Sequence, residues 1–343
     1  MSDLKINNIT DRSGTRGPII AGISTIATSG SFVVPVGATE FRGGRGRGLI
    51  MGGYAYSPGG YVNNIDYITI ATTGNGTDFG DASIINGFGS GMGSSTRGVF
   101  KLGRGNPSFT DQIDYVTISS GGGASDFGTD DGISQDSCAP FGDSTRGCWA
   151  NGTGYDGKIQ YITIATTGNS TEFGEMSYGA YMGGGAGTAS PTRGFMFGGR
   201  ENPAPYRKDI EYVNIQTRGN TTKFGELTQA KRSTAACSST TRAVIASGET
   251  PSGGTNVIEY ITMATEGNGT DFGDIATQND GYGSATSNQI RGVFCGSNDT
   301  SPANTNVIDY VTITSTGNAI DFGDTSYASY LCAMTSDSHG GIG

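Results

Sequence analysis

One histidine and one tryptophan are all that this chain of 343 residues provides, and its five cysteines include no CxxC pair. With His339 four residues from the end, a multi-histidine metal centre has no ligands to draw on. Cys138, Cys148, Cys237, Cys295 and Cys332 are odd in number and scattered, so they read as reduced, small core residues rather than disulfides or metal ligands. Long apolar runs are missing too. None approaches the roughly 18 residues that cross a bilayer, and the opening MSDLKINNITDRSG has no apolar core of a signal peptide. Neither membrane insertion nor export by that route is expected. Charge is sparse at 15%, and acids outnumber bases 31 to 21, giving -10, a balance that repels phosphate backbones. The run RGGRGRG at 42–48 has no further RGG series or aromatic platform behind it, so it reads as a linker and no nucleic-acid partner is expected.

What the chain has is glycine, 60 residues of it, and a phrase that returns. NNIDYITIATTGNGTDFGD at 63–81 reappears as QIDYVTISSGGGASDFGTD, KIQYITIATTGNSTEFGEM, DIEYVNIQTRGNTTKFGEL, VIEYITMATEGNGTDFGDI and VIDYVTITSTGNAIDFGDT. Its phenylalanine falls at Phe79, Phe127, Phe173, Phe224, Phe272 and Phe322, in steps of 48, 46, 51, 48 and 50. An arginine keeps the same period at Arg47, Arg97, Arg146, Arg193, Arg242 and Arg291. Self-similarity at this spacing signals a repeat architecture.

Each repeat reads as four short strands. A small-residue segment such as SCAPFGDS or STAACSSTT suits a crowded axis; a strand follows the arginine, as in RGVFKLG. The third, NIDYITIA, sets Ile65 and Tyr67 on one face and Ile68 and Ile70 on the other, so both faces are covered. The turn TTGNGT then leads into a short outer strand carrying DFG. The Asn-x-Ser/Thr triplets at Asn75 and Asn169 belong to this turn, whose chemistry explains them better than glycosylation does. Four antiparallel strands with two covered faces describe a propeller blade, and six repeats give a six-bladed all-β propeller over 41–343. The first arginine block lacks a preceding small-residue strand while the chain finishes with a spare one, YLCAMTSDS. That strand is expected to complete the first blade and close the ring.

An arginine, a strand ending in glycines (Gly198, Gly199), a variable loop, IxYxxI and a closing aromatic together resemble a kelch-type repeat with Phe where kelch commonly has Trp. The wording IDYVTI…TGNxxDFGD also resembles propeller repeats of tail-fibre and other virion proteins of marine bacteriophages, especially those of cyanobacteria. The opening INNITDRSGTRGPIIAGISTIATSGSFVVP is similar to an arm at the start of such proteins. This resemblance implies a structural protein of the virion, displayed on a tail or fibre and contributing to host contact. A glycan-binding adhesin and a capsid decoration protein are the alternatives. Residues 1–40 are polar with short extended patterns, and are expected to anchor the propeller to other virion proteins.

The DFG aspartate is replaced by Lys223 in one copy, which argues against a ring of calcium sites and for a carboxylate that caps a corner between blades. The repeated arginine alternates with Asp66, Asp114, Gln160, Glu211, Glu259 and Asp309, so an arginine–carboxylate pair is expected, with an electropositive channel as the other possibility. Ser-x-Asp-x-Gly-x-Thr-Trp boxes of sialidase propellers are missing and no acid outside the scaffold stands out, so no catalysis, cofactor or metal is expected.

Recognition is expected where the repeat varies. The loops between second and third strands read AYSPGGYVNN, GNPSFTDQ, NGTGYDGK, ENPAPYRKD, ETPSGGTN and NDTSPANTN, whereas the turns of the opposite rim are monotonous. Tyr54, Tyr56, Tyr61, Phe109, Tyr155 and Tyr206 place aromatics there, suited to sugar rings or to a neighbouring protein; the alternative is that they fold back on their own blades. Residues 193–241 also concentrate cations, among them Arg207, Lys208, Lys231 and Arg232, and could face an acidic or phosphate-bearing partner.

Overall fold

The structure is a computed structural model that describes residues 46–55, 59–105, 108–131, 135–150, 152–182, 186–203, 205–279, 283–296 and 306–338, all within the second of the chain's two units, Phe41–Gly343. The arm assigned to 1–40, Tyr56 and His339 lie outside the described residues.

Six antiparallel sheets form the ring, each running from an inner strand at the axis to an outer one. Blade two shows the plan: Ser90–Gly93, Arg97–Lys101, Gln112–Thr117 and Ser125–Thr129, in that order outwards. The second and third strands keep one register throughout. Arg47 faces Thr69, Arg97 faces Thr117, Arg146 faces Thr163 and Arg291 faces Thr312. Small inner residues are needed because neighbouring inner strands nearly touch: a Cβ on Gly91 would run into the backbone of Met334, and one on Gly187 into Pro140.

Blade one is completed from the far end of the chain. Ala333–Ser336 pairs antiparallel with Arg47–Met51, setting Gly48 against Ser336 and Met51 against Ala333. Arg47 N–H donates to Asp337 Oδ1 at 2.9 Å, and Ser326 N–H and Oγ donate to Asp66 at 2.6 Å each. The half-buried Tyr327 donates to Asn64 O at 3.1 Å. The closure expected from the spare strand is present.

Alternation along the strands sends buried groups both ways, and the apolar residues gather into six cores, one between each pair of neighbouring blades. Leu49, Met51, Ile65 and Phe79 of blade one meet Phe100, Val116 and Ile118 of blade two, while Ile50 and Ile68 turn back to Val293 and Ile308 of blade six.

The DFG phrase is a β-bulge. Ile65 pairs with Gly80 and Asp66 with Asp78, so Phe79 is the extra residue; the same shift recurs in the other blades. Phe79 is buried with its ring edge-on to Tyr67 at 6.4 Å, and each sister phenylalanine meets its tyrosine in the same way. Gly80 has φ +147, and a Cβ there would meet the backbone of Gly122 in the next blade at 2.5 Å. The next blade's turn lies on that glycine: Gly122 N–H donates to Phe79 O and Ala124 N–H to Asp81 O. An asparagine caps the corner from the neighbour, as Asn169 Oδ1 accepts from Thr129 N–H and Asn75 Oδ1 from Asp324 N–H. The DFG phrase lies at the blade corner as expected, but the cap between blades is the neighbour's asparagine rather than its carboxylate, and its invariant parts are phenylalanine and glycine, which leaves the first position free to be Lys223.

The repeated arginine corrects the expected pairing. Register places Asp66 opposite Ile50, three residues from Arg47, and among the described residues no ring arginine forms an ion pair. Each guanidinium instead lies over the tyrosine of its own blade, 4.2 to 5.3 Å from the ring centroid. It donates to a main-chain carbonyl of the next blade: Arg47 to Ile118 at 2.8 Å, Arg97 to Ile164 at 2.9 Å, Arg146 to Ile215 at 2.6 Å, Arg193 to Met263 at 3.2 Å, Arg242 to Ile313 at 2.9 Å and Arg291 to Ile70 at 3.3 Å. These are inter-blade clasps, in place of both the carboxylate pairs and the electropositive channel. The acidic position is used differently. Asp114 accepts from Ser83 N–H and Oγ, and Glu211 from Ser177 N–H, each reaching back to the preceding blade.

Candidate functional site

The axis is too tight to be the site. Between the inner strands lies a space of about 20 Å³, lined by Gly91, Thr188, Ser284, Thr286, Met334 and Thr335. That is room for about one water. Function therefore falls to the rims.

On the variable rim the second strands run on past their cores, and the residues that follow form isolated bridges with the segment leading to the same blade's inner strand. Tyr54 bridges Tyr330, Arg104 bridges Gly87, Arg200 bridges Tyr181, and Glu249 bridges Arg232. In blades one and five the expected loops are partly strand. Gly60–Thr69 pairs with Thr77–Asn86, and Gly253–Thr262 with Thr270–Asn279, making tall hairpins where the sequence read YVNN and SGGTN as loop.

These bridges carry a run of aromatic and charged side chains around the rim. On blade one, Tyr54 stands edge-on to Tyr61 at 5.3 Å and tilted to Tyr330 at 5.5 Å. Burial raises the Tyr61 hydroxyl above its ordinary range, against the nearby Arg104, which lowers it and shares a hydrogen bond with it. Arg104 spans Phe88 at 5.2 Å and Phe109 at 4.6 Å and reaches Asp136 at 3.0 Å. Burial holds the Asp136 carboxyl above the usual range despite that arginine. On blades four and five, Arg232 lies 4.9 Å over Tyr181 and grips Glu249 with Nε at 2.9 Å and Nη2 at 2.5 Å; Tyr206 also donates to Glu249 at 2.5 Å. Arg200 covers Tyr206 at 5.4 Å.

Of the six aromatics expected on this rim, Tyr54, Tyr61, Phe109 and Tyr206 join this run. Tyr155 sits apart on blade three, half-buried with φ +51, its carbonyl against Gly179. Arg207 stacks on Tyr178 at 4.5 Å and pairs with Glu201 and Asp209, and Lys208 pairs with Glu226 at 2.6 Å. The cation excess of blade four is thus carried largely in ion pairs, and Lys231 is not at the surface: it is fully buried against Glu259 at 2.8 Å. Arg104, Asp136, Tyr181, Glu249 and Tyr330 were missed in the sequence, and Arg200 and Arg232 were read there only as members of the basic stretch 193–241. Arg104, Arg200 and Glu249 occupy one repeat position that changes chemistry from copy to copy, and that change was the available signal; their partners come from segments the sequence does not register against them.

Among the described residues no group of three or more His, Cys, Asp or Glu is placed to hold a metal ion. The fold and rim define a closed six-bladed propeller whose repeating arginine–tyrosine pairs clasp the blades and whose non-repeating ones lie on the variable rim. No protein-family model matches the chain, and no curated protein matches it.

Proposed function

We propose that this chain is a non-enzymatic recognition protein of a virion, attached through residues 1–40 and presenting the variable rim of its propeller to the host envelope. The observation that carries the reading is the confinement of Tyr54, Tyr61, Phe109, Tyr181, Tyr206 and their arginines to one rim, above a scaffold whose other contacts repeat from blade to blade. Aromatic rings beside hydrogen-bonding arginine–carboxylate pairs suit a saccharide, whose ring faces stack and whose hydroxyls bond. Asp136, Glu201, Asp209 and Glu249 of the rim are paired with arginines, which favours binding over general acid–base chemistry. The virion setting rests on the resemblance of the IDYVTI…TGNxxDFGD phrase and of the N-terminal segment, and it includes tail, fibre and capsid positions.

Two variants test the reading on assembled particles. Deleting residues 1–40 is expected to abolish incorporation, whereas Tyr54→Ala with Tyr61→Ala is expected to leave incorporation normal and reduce adsorption to host cells. Normal incorporation without residues 1–40 would remove the anchor; a rim variant that assembles poorly but adsorbs normally would make the rim an assembly interface instead.

A further inference from the structure

We propose that the rim of blade four holds a subsite for the carboxylate of an acidic sugar, centred on Arg200. This rests on the recognition reading above and goes beyond it by assigning the ligand's charge.

Four arginines of the variable rim have their surroundings described, and three have a carboxylate: Arg104 has Asp136, Arg207 has Glu201 and Asp209, Arg232 has Glu249. Arg200 has none among the described residues. Its Nε is cut off from water and makes no hydrogen bond, as in Arg104 and Arg207, so what sets Arg200 apart is the lack of a neighbouring carboxylate. Nε is enclosed, so an arriving carboxylate is met by the two Nη groups of this half-buried guanidinium, which no acid occupies among the described residues. The position is fixed, since main-chain bridges on both sides tie Arg200 between Tyr181 and Tyr206.

The neighbours define what fits. Arg200 and Arg232 both lie over Tyr206, at 5.4 and 6.0 Å, and Arg232 also covers Tyr181. Glu249 is held by Arg232 and by the Tyr206 hydroxyl, so Arg200, Arg232 and Glu249 together carry one net positive charge. The half-buried Tyr206 ring beside the guanidinium adds apolar surface for a sugar, and the planar guanidinium matches a carboxylate in fork geometry. A uronic acid satisfies both demands with one residue of a polysaccharide. Because the protein itself carries -10, the acidic ligand is recognised locally, against the overall field.

Calorimetric titration of the full chain decides, using a galacturonate tetramer, the same tetramer with its carboxyls reduced to alcohols, and a sulfated neutral tetramer. The acid tetramer is expected to bind at least about tenfold more tightly than the reduced one, a difference near 1.4 kcal/mol. Arg200→Gln should remove that preference while the protein stays folded, its thermal midpoint lowered only by the loss of the stack on Tyr206, and Arg200→Lys should keep part of the preference. Equal binding of acid and reduced tetramers, or tighter binding of the sulfated one, overturns the carboxylate subsite and leaves the glycan rim standing. If no tetramer binds, both fall.

Discussion

Two residue-scale features decide how this ring is held. The first is the arginine clasp, a charge-assisted hydrogen bond to the next blade from a guanidinium stacked on its own tyrosine. Loss of such a bond costs about 1.5–3 kcal/mol and of the stack about 0.5–1 kcal/mol. Arg97→Ala should therefore destabilise the propeller by about 2–3 kcal/mol in reversible denaturation, with Arg97→Lys recovering only part, because an ammonium does not reproduce the planar stack. A loss under about 0.5 kcal/mol would show that the clasp is ornamental. The second is the buried pair Lys231–Glu259, both side chains fully enclosed. Lys231→Met strands a buried carboxylate and should cost about 3–5 kcal/mol, while Lys231→Met with Glu259→Gln should restore most of it. Desolvation pushes the Cys138 thiol up to about 12 and raises Cys148 and Cys237 well above the ordinary range, while Cys295 is raised by its hydrogen bond with Cys332 and by burial. A raised thiol pKa means scarce thiolate, so at pH 8 the folded chain should resist alkylation at these four positions and the unfolded chain should react at all five cysteines, counted by intact mass.

At the scale of strands and blades the sequence was most legible where chemistry repeats. The period of Phe79 and its sisters counted the blades, and alternation in NIDYITIA placed a strand covered on both faces. Its small-residue segments located the inner strands, and the spare YLCAMTSDS located the closure. Reading failed where register matters. Arg47 and Asp66 recur with one period, but a strand pairing that sets Arg47 against Thr69 keeps them apart. The DFG phrase resembled a row of capping carboxylates because its bulge cannot be seen until Phe79 drops out of the ladder. The tall hairpins of blades one and five were hidden by Gly and Asn, which read as loop although the backbone continues as strand. Closure gives this scale its prediction. Removing residues 326–343 exposes the Arg47–Met51 edge and deletes Tyr327 and Asp337 with it, so the truncated chain should melt well below the intact one or aggregate. An unchanged midpoint would contradict closure by that strand.

Over the whole molecule, repetition and variation are separated in space. Clasps, bulges and asparagine caps recur around the ring and consume its invariant residues, leaving the variable rim as the place where tyrosines and arginines differ blade by blade. Rigid closure below and chemical variety above is the arrangement expected of a recognition protein. The charge distribution agrees: the cations of blade four are largely matched to acids, so attraction to a partner is set by the few unmatched groups such as Arg200 rather than by the field of the disc.

The central claim, that the variable rim is the recognition face, is tested most directly by comparing two masked proteins for binding to intact host cells. One carries a bulky maleimide adduct at Phe109→Cys on the variable rim, and the other the same adduct at Thr166→Cys in the opposite turn. The account predicts that the first loses at least about tenfold in binding while the second binds as the unmodified chain does. Equal binding by both, or loss only from Thr166→Cys, would contradict it.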